Sequence, residues 1–397
     1  MISTIRNTFN AACTENKYQL FLDSFEKQFP KSIDFRLAET PVFIPAIFKE
    51  QLLETGNYIA DYILSPNFNS ITLDAISGLD LPPNAEAFPQ CIVMDFAISE
   101  KKGALQPQLI ELQGFPSLFA FEIAHHHAFS ENYPMLEALS PFLNDYTENS
   151  YLLHLEKILK GVDKNKHTVL LEIKPENQKT RIDFLYTQKL LDIPTICLSE
   201  IEVKEHTLYY LRDGKEIKID RIYNRIVWDE IATQDILLQQ KAALLLNVLS
   251  IEWVSHPEHY YRISKFLLPL LQHPFIPAAS LVSDLQNIPE DLSNYILKPL
   301  FSFAGQGVKI DVSPNDIVSL QNPKLWILQR KVHYAEIIET PTGKAKAEIR
   351  LFYFYDQALQ KYVATCNLTR ISKGKMIGVS YNQNATWVGG SLSYFEN

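Results

Sequence analysis

Leu109-Ile110-Glu111-Leu112-Gln113-Gly114-Phe115-Pro116 is the stretch from which the fold is read. Apolar and polar residues alternate in it, the period of a strand with one buried face. Glu111 and Gln113 therefore share a face, while Ile110 and Leu112 are expected in a core. The preceding run Cys91-Ile-Val-Met-Asp95-Phe-Ala-Ile98 is a second strand, and the polar turn Ser99–Gly103 makes the two a hairpin. On that pairing Asp95 joins Glu111 and Gln113. Three oxygen donors on one face, two of them anionic, suit Mg²⁺, which takes one or two carboxylates plus substrate phosphates. The plainer reading of the same pattern is the solvated face of a half-buried hairpin.

Around this hairpin lies a chain of 397 residues, long enough for two or three domains. It is 46% hydrophobic and 21% charged, which excludes disordered, collagen-like and coiled-coil classes. A formal charge of −9 argues against a nucleic-acid or anionic-membrane binder. The greasiest run, Ile236 to Val254, carries Gln239, Gln240, Lys241 and Glu252, too polar for a bilayer span. Four scattered cysteines without a CxxC pair are expected to be reduced thiols. Met1 to Asn10 has no basic stretch followed by an apolar core. A cytoplasmic location is expected on both grounds.

Residues 1–89 read as a helical N-terminal region. Residues 149–250 alternate strand and helix, as in a partly parallel sheet. From Tyr295 the chain is strand-rich. Only 13 glycines occur, yet seven lie from Gly305 onward, so the C-terminal quarter needs unusual backbone or close ligand approach. There Lys298 ends an apolar strand and precedes Ser302, Gly305, Gln306 and Gly307. Flexible backbone N–H groups beside a lysine make a phosphate cradle, although an ordinary glycine hairpin has the same look. Arg350 and Arg370 stand in or beside apolar strands, where a guanidinium wants a planar anion or a structural ion pair. His125-His126-His127 are consecutive on a helix and point about 100° apart, so they cannot share one metal. Arg221 and Arg225 are candidate substrate or domain contacts. No P-loop, GxGxxG, GxSxG or HExxH motif occurs.

In order, Lys298 with Gly305–Gly307, Gln329-Arg330-Lys331-Val332, Glu348-Ile-Arg350, Thr369-Arg370 and Gly389-Gly390 resemble the nucleotide half of the ATP-grasp fold. Its metal half, Asp95 and then Glu111-Leu-Gln113-Gly-Phe-Pro116, stands upstream instead of downstream. That rotation resembles the circularly permuted ATP-grasp families, which include glutathionylspermidine synthetase. The resemblance covers about residues 90–397. It implies a permuted metal-binding half at 90–148, a pre-ATP-grasp α/β domain at 149–250 and a nucleotide half at 251–397.

Carried over, it implies Asp95, Glu111 and Gln113 as Mg²⁺ ligands. Lys265 and Lys298 reach the phosphates or adenine, and Ser302 and Gly305–Gly307 close over the phosphates. Gln329, Arg330, Lys331 and Val332 line the adenine slot. Arg350 and Arg370, with Lys298, offset charge on the transferred group. The implied reaction activates a small carboxylate as an acyl phosphate for attack by an amine. Two departures stand out. Gln113 replaces the family's Asn, and Val93-Met94 stands where a basic residue often precedes the Asp. They leave open a nucleotide-binding protein without turnover.

Overall fold

The structure, a computed structural model, describes residues 1–302, 305–377, 382 and 384–396. Its centre is a six-stranded antiparallel sheet. Gly389–Ser391, Lys361–Ser372, Gly343–Asp356, Cys91–Lys101 and Ala104–Gln113 lie side by side in that order, and Ile338–Thr340 pairs with Gly343–Asp356. The hairpin read from the sequence is present and longer than expected. Lys102 and Gly103 turn it, both at positive φ (53° and 80°), the backbone of a two-residue turn that matches strand twist.

One residue of the hairpin departs from strict alternation. Asp95 pairs with Glu111, but Phe96 pairs with Leu109, so Ile110 is the extra residue of a β-bulge. Leu109 and Leu112 fill the core, and Ile110 is only partly buried. The simple period-two reading placed Ile110 inside; the bulge corrects it.

The sheet has two unlike faces. Ile92, Met94, Phe96, Ile349, Leu351 and Tyr353 bury against the helix Ala46–Ile63 through Phe48, Leu52, Ile59 and Ile63. On the other face Cys91, Val93, Phe352, Phe354 and Leu368 meet Phe119, Phe121 and Tyr151, beside helices Phe121–Asn132 and Glu148–Lys160. Further along this second face the side chains become charged: Asp95, Glu111, Glu348, Arg350 and Arg370 follow the same alternation. The apolar half anchors the sheet, and the charged half is the candidate site.

A four-stranded parallel sheet runs Glu252–Val254, Arg221–Asn224, Thr168–Glu172, Thr195–Cys197. Its outer strand, Glu252–Val254, lies beyond the boundary expected at 250, because three residues are too few to show a period. A three-stranded sheet holds Trp326–Arg330 between Ala279–Leu281 and Tyr295–Pro299 over a small core of Leu297, Val312, Ile317 and Leu328. Val42–Ile44 pairs in parallel with Ser393–Phe395, tying the N-terminal region to the C-terminal strands. Among the described residues no helix is long and apolar enough to cross a membrane.

Gly114 ends the hairpin at a close backbone approach. A Cβ there would lie 2.4 Å from the His259 carbonyl oxygen, and its N–H donates to Ile263 at 2.9 Å. Gly114→Ala is expected to cost about 1–3 kcal/mol, read as a lower thermal midpoint with unchanged far-ultraviolet dichroism at 20 °C. An unshifted midpoint would show that the segment 259–263 yields freely.

Candidate functional site

Asp95 lies at the middle of the charged face, in register with Glu111 on one side and Arg350 on the other. Arg350 donates from Nε to Asp95 Oδ1 at 2.6 Å and from Nη2 to Oδ2 at 2.7 Å, a bidentate pair. Arg370 donates from Nη2 to the same Oδ2 at 2.8 Å and also pairs with Glu348, its cross-strand partner. Tyr334 donates to the other Glu348 oxygen at 2.5 Å. Burial alone would raise the Asp95 carboxyl, but Arg350 and Arg370 outweigh it and hold it below the usual aspartate range. For Arg370, burial works against the charge, and Glu348 and Asp95 more than offset it, so its charged form is reinforced.

Two lysines from later elements reach the same hairpin. Lys265 Nζ donates to Glu111 Oε1 at 2.9 Å and to the Ser302 carbonyl at 2.5 Å. The run Tyr261–Leu271 is not one continuous helix. The chain instead forms a helix at Pro257–Arg262, extends at Ser264 and resumes as a short 3₁₀ turn at Lys265–Leu270, with Ser264 Oγ accepting from Phe266 N at 3.1 Å. That break aims Lys265 at Glu111. Lys298 Nζ donates to the Ile110 carbonyl at 3.1 Å, the oxygen that the bulge leaves outside the ladder. Burial lowers the Lys298 ammonium to about 8, with Glu111 opposing the shift. Lys265, Lys298, Arg350 and Arg370 thus surround Asp95, Glu111 and Glu348, four cations around three carboxylates.

Gln113 sits two residues beyond Glu111 in register with Val93, half-buried. Asp95, Glu111 and Gln113 offer hard oxygens, a donor set that fits Mg²⁺ when phosphates complete its shell. In this structure protein cations take both oxygens of Asp95 and one of Glu111. Among the described residues no group of three or more His, Cys, Asp or Glu is arranged for a metal.

The glycine loop begins at Ser302. Phe303 and Ala304 lie outside the described residues. Gly305 and Gly307 take φ of 75° and 74°, the left-handed backbone that their identity predicts, and Gly305, Gln306 and Gly307 are exposed. In the strand Trp326–Arg330, Gln329 is buried, and its Nε2 has no partner among the described residues. Arg330 does not share that place. Strand alternation turns it outward, where it pairs with Asp291 at 2.7 Å and lies over the Tyr295 ring at 4.4 Å. Lys331 N donates to Asn294 at 2.8 Å, and Lys331 and Val332 are half-buried.

Arg221 and Arg225 separate cleanly. Arg221 donates to the carbonyls of Leu159 at 2.8 Å and Ile158 at 2.9 Å, capping the end of helix Glu148–Lys160, and also pairs with Glu252. It is structural. Arg225, just past the strand Arg221–Asn224, donates to the Ser117 carbonyl at 3.1 Å, with its guanidinium 5.5 Å from the Phe115 and Phe184 rings. Its buried Nε has no partner among the described residues. Ser117 also accepts from Arg350 through its hydroxyl at 3.4 Å, so one residue joins Arg225 to the charged face. The three histidines diverge. His125 is buried against Glu122 at 3.0 Å, His126 contacts the Tyr394 hydroxyl at 2.9 Å, and His127 pairs with Glu148 at the surface.

Ser117 and Tyr334 were not singled out in the sequence. Ser117 directly follows the Glu111–Pro116 motif, and that adjacency was the available signal. Tyr334 carried none, since only the fold brings it to Glu348.

No family model and no curated protein matches the sequence. Among solved structures, the chain is similar to a glutathione synthetase-like effector from Globodera pallida in its apo form. Identity is 9%, the TM-score is 0.57, and the match covers 97% of this chain and 99% of that one. The similarity is one of fold, and it runs over nearly the whole length of both proteins.

Proposed function

We propose that this chain is an ATP- and Mg²⁺-dependent ligase of circularly permuted ATP-grasp type that joins a small carboxylate to an amine. One observation carries the reading. Lys265 bridges Glu111, on the early acidic hairpin, to the Ser302 carbonyl, at the foot of the late glycine loop. Two stretches far apart in sequence meet, and arginines and lysines converge where a triphosphate would need them. The glutathione synthetase-like fold of the Globodera protein agrees with a ligase.

In this reading Lys265 and Lys298 hold the phosphates, and Arg350 and Arg370 offset the charge that builds on the transferred phosphoryl group. Asp95, Glu111 and Gln113 would hold Mg²⁺, which neutralises phosphate oxygens when bound. A substrate carboxylate oxygen attacks the γ-phosphorus, the bond to ADP breaks, and an acyl phosphate forms. The amine then attacks the acyl carbon, phosphate leaves with the electron pair, and the amine loses a proton. Such sites act by positioning more than by covalent chemistry of their own.

Arg225 stands at the carboxyl end of a parallel strand, the edge at which open α/β sheets bind ligands. We assign it to the substrate carboxylate. Arg225→Met should raise the KM of the acid by about 10-fold or more and leave the KM of ATP nearly unchanged. Equal rises in both would remove Arg225 from the substrate side.

The reaction itself is tested with purified full-length chain, Mg-ATP and a panel of acids and amines, reading phosphate release. Heat protection by Mg-ATP together with amine-dependent phosphate release supports the ligase. Absence of both effects would refute it. A second reading, nucleotide binding without turnover, is favoured by Gln113 and by the pairing of both Asp95 oxygens with arginines. Heat protection without phosphate release would select it.

A further inference from the structure

We propose, resting on the nucleotide reading above, that Asp95 is the resting counter-ion of Arg350 and Arg370. It is released to a divalent cation only when a polyphosphate takes the two guanidiniums. Nucleotide therefore enters before the metal or together with it, and the free chain does not hold the metal.

The geometry supplies the reason. A carboxylate offers about four lone-pair positions. On Asp95 three are filled, by Arg350 Nε and Nη2 and by Arg370 Nη2, at 2.6–2.8 Å. The neighbouring carboxylate, Glu111, carries the Lys265 ammonium at 2.9 Å. A bare divalent ion approaching this face meets two guanidiniums and an ammonium before it meets a free pair of oxygens. A triphosphate reverses that field and competes for the same forks, since guanidinium matches phosphoryl oxygens as well as it matches a carboxylate.

Two features prepare the exchange. Arg370 Nε is buried and has no partner among the described residues, a donor left open for an incoming acceptor. Each arginine also keeps a second holder when Asp95 lets go: Arg370 keeps Glu348, itself steadied by Tyr334 at 2.5 Å, and Arg350 keeps the Ser117 hydroxyl at 3.4 Å. The guanidiniums can turn without becoming bare buried charges. Because the coupling is thermodynamic, it is reciprocal: metal must tighten nucleotide by the factor by which nucleotide tightens metal.

The test uses Mn²⁺ as the probe, read by electron paramagnetic resonance on the full chain, and calorimetry of a non-hydrolysable ATP analogue in EDTA and in Mn²⁺. The wild-type chain alone should bind Mn²⁺ at least about 10-fold more weakly than the chain loaded with analogue. The analogue should bind measurably in EDTA. Arg370→Gln, which lifts one guanidinium from Asp95, should gain Mn²⁺ binding without nucleotide and lose analogue affinity in EDTA. A merely structural ion pair would give neither change. Mn²⁺ binding to the free wild-type chain as tightly as to the loaded chain would overturn the inference and leave the nucleotide reading standing; this comparison needs no variant. No analogue binding in either condition would overturn the nucleotide reading, and the inference with it.

Discussion

Asp95→Asn is expected to abolish the proposed acyl-phosphate formation and to lower the thermal midpoint by about 5 °C or more. The structural cost comes from what is left behind. Arg350 and Arg370, both partly exposed, lose their shared anion, the buried Asp95, and removing one partner of such a pair costs about 3 kcal/mol. Asparagine keeps the shape but gives only one acceptor oxygen, and its amide nitrogen then faces a guanidinium. The stability loss also carries a pH signature. An ordinary aspartate titrates near 3.9, and folded Asp95 is held below that because the two arginines outweigh burial. Its contribution is therefore complete above about pH 4 and drains away as the pH falls further. Wild type should lose midpoint steeply below about pH 4, and Asp95→Asn should lose less over the same interval. Equal acid legs in the two proteins would show that Asp95 does not carry the buried charge balance.

On the proposed nucleotide reading, Lys298→Met is expected to weaken ATP binding by about 10- to 100-fold, the worth of one charge-assisted hydrogen bond in a buried place. Lys298 also predicts two opposite pH trends. Its ammonium is pushed down to about 8 by burial, against Glu111. ATP affinity should fall as the pH rises through that value, because the phosphates lose a cation. Folding stability should rise over the same range. The folded value lies below the ordinary lysine value of about 10.4, so the penalty of burying the charge is present below pH 8 and relieved above it. Lys298→Arg keeps its charge and should flatten the affinity profile. Calorimetry of ATP and thermal melts from pH 7 to about 9.5 read both trends. Affinity that does not change across this window would place the triphosphate away from Lys298.

The hairpin was legible because a strand with one wet face announces itself by alternation, and the pairing of Asp95 with Glu111 follows from it. The bulge at Ile110 was not, since one extra residue leaves the composition of the strand unchanged. Yet the bulge presents the carbonyl that Lys298 uses. The pairing of Cys91–Lys101 with Gly343–Asp356 could be reached only through a resemblance, because partner choice between distant strands leaves no local mark. Arg330 was open to correction from the sequence itself: once Gln329 faces inward, alternation sends Arg330 outward. Arg221 and Arg225 were indistinguishable as residue types. What separates them is the end of helix Glu148–Lys160, whose last carbonyls claim Arg221 and leave Arg225 to Ser117. Lys265 owes its position to Ser264, which breaks an apolar run that otherwise reads as one helix.

A crystal structure of the full chain with Mg²⁺ and a non-hydrolysable ATP analogue tests the central claim most directly. The triphosphate is predicted between Glu111 and Lys298, beneath the loop at Gly305–Gly307, with Arg350 and Arg370 turned from Asp95 onto phosphoryl oxygens. An analogue bound elsewhere, with both guanidiniums still clamped on Asp95, would contradict it.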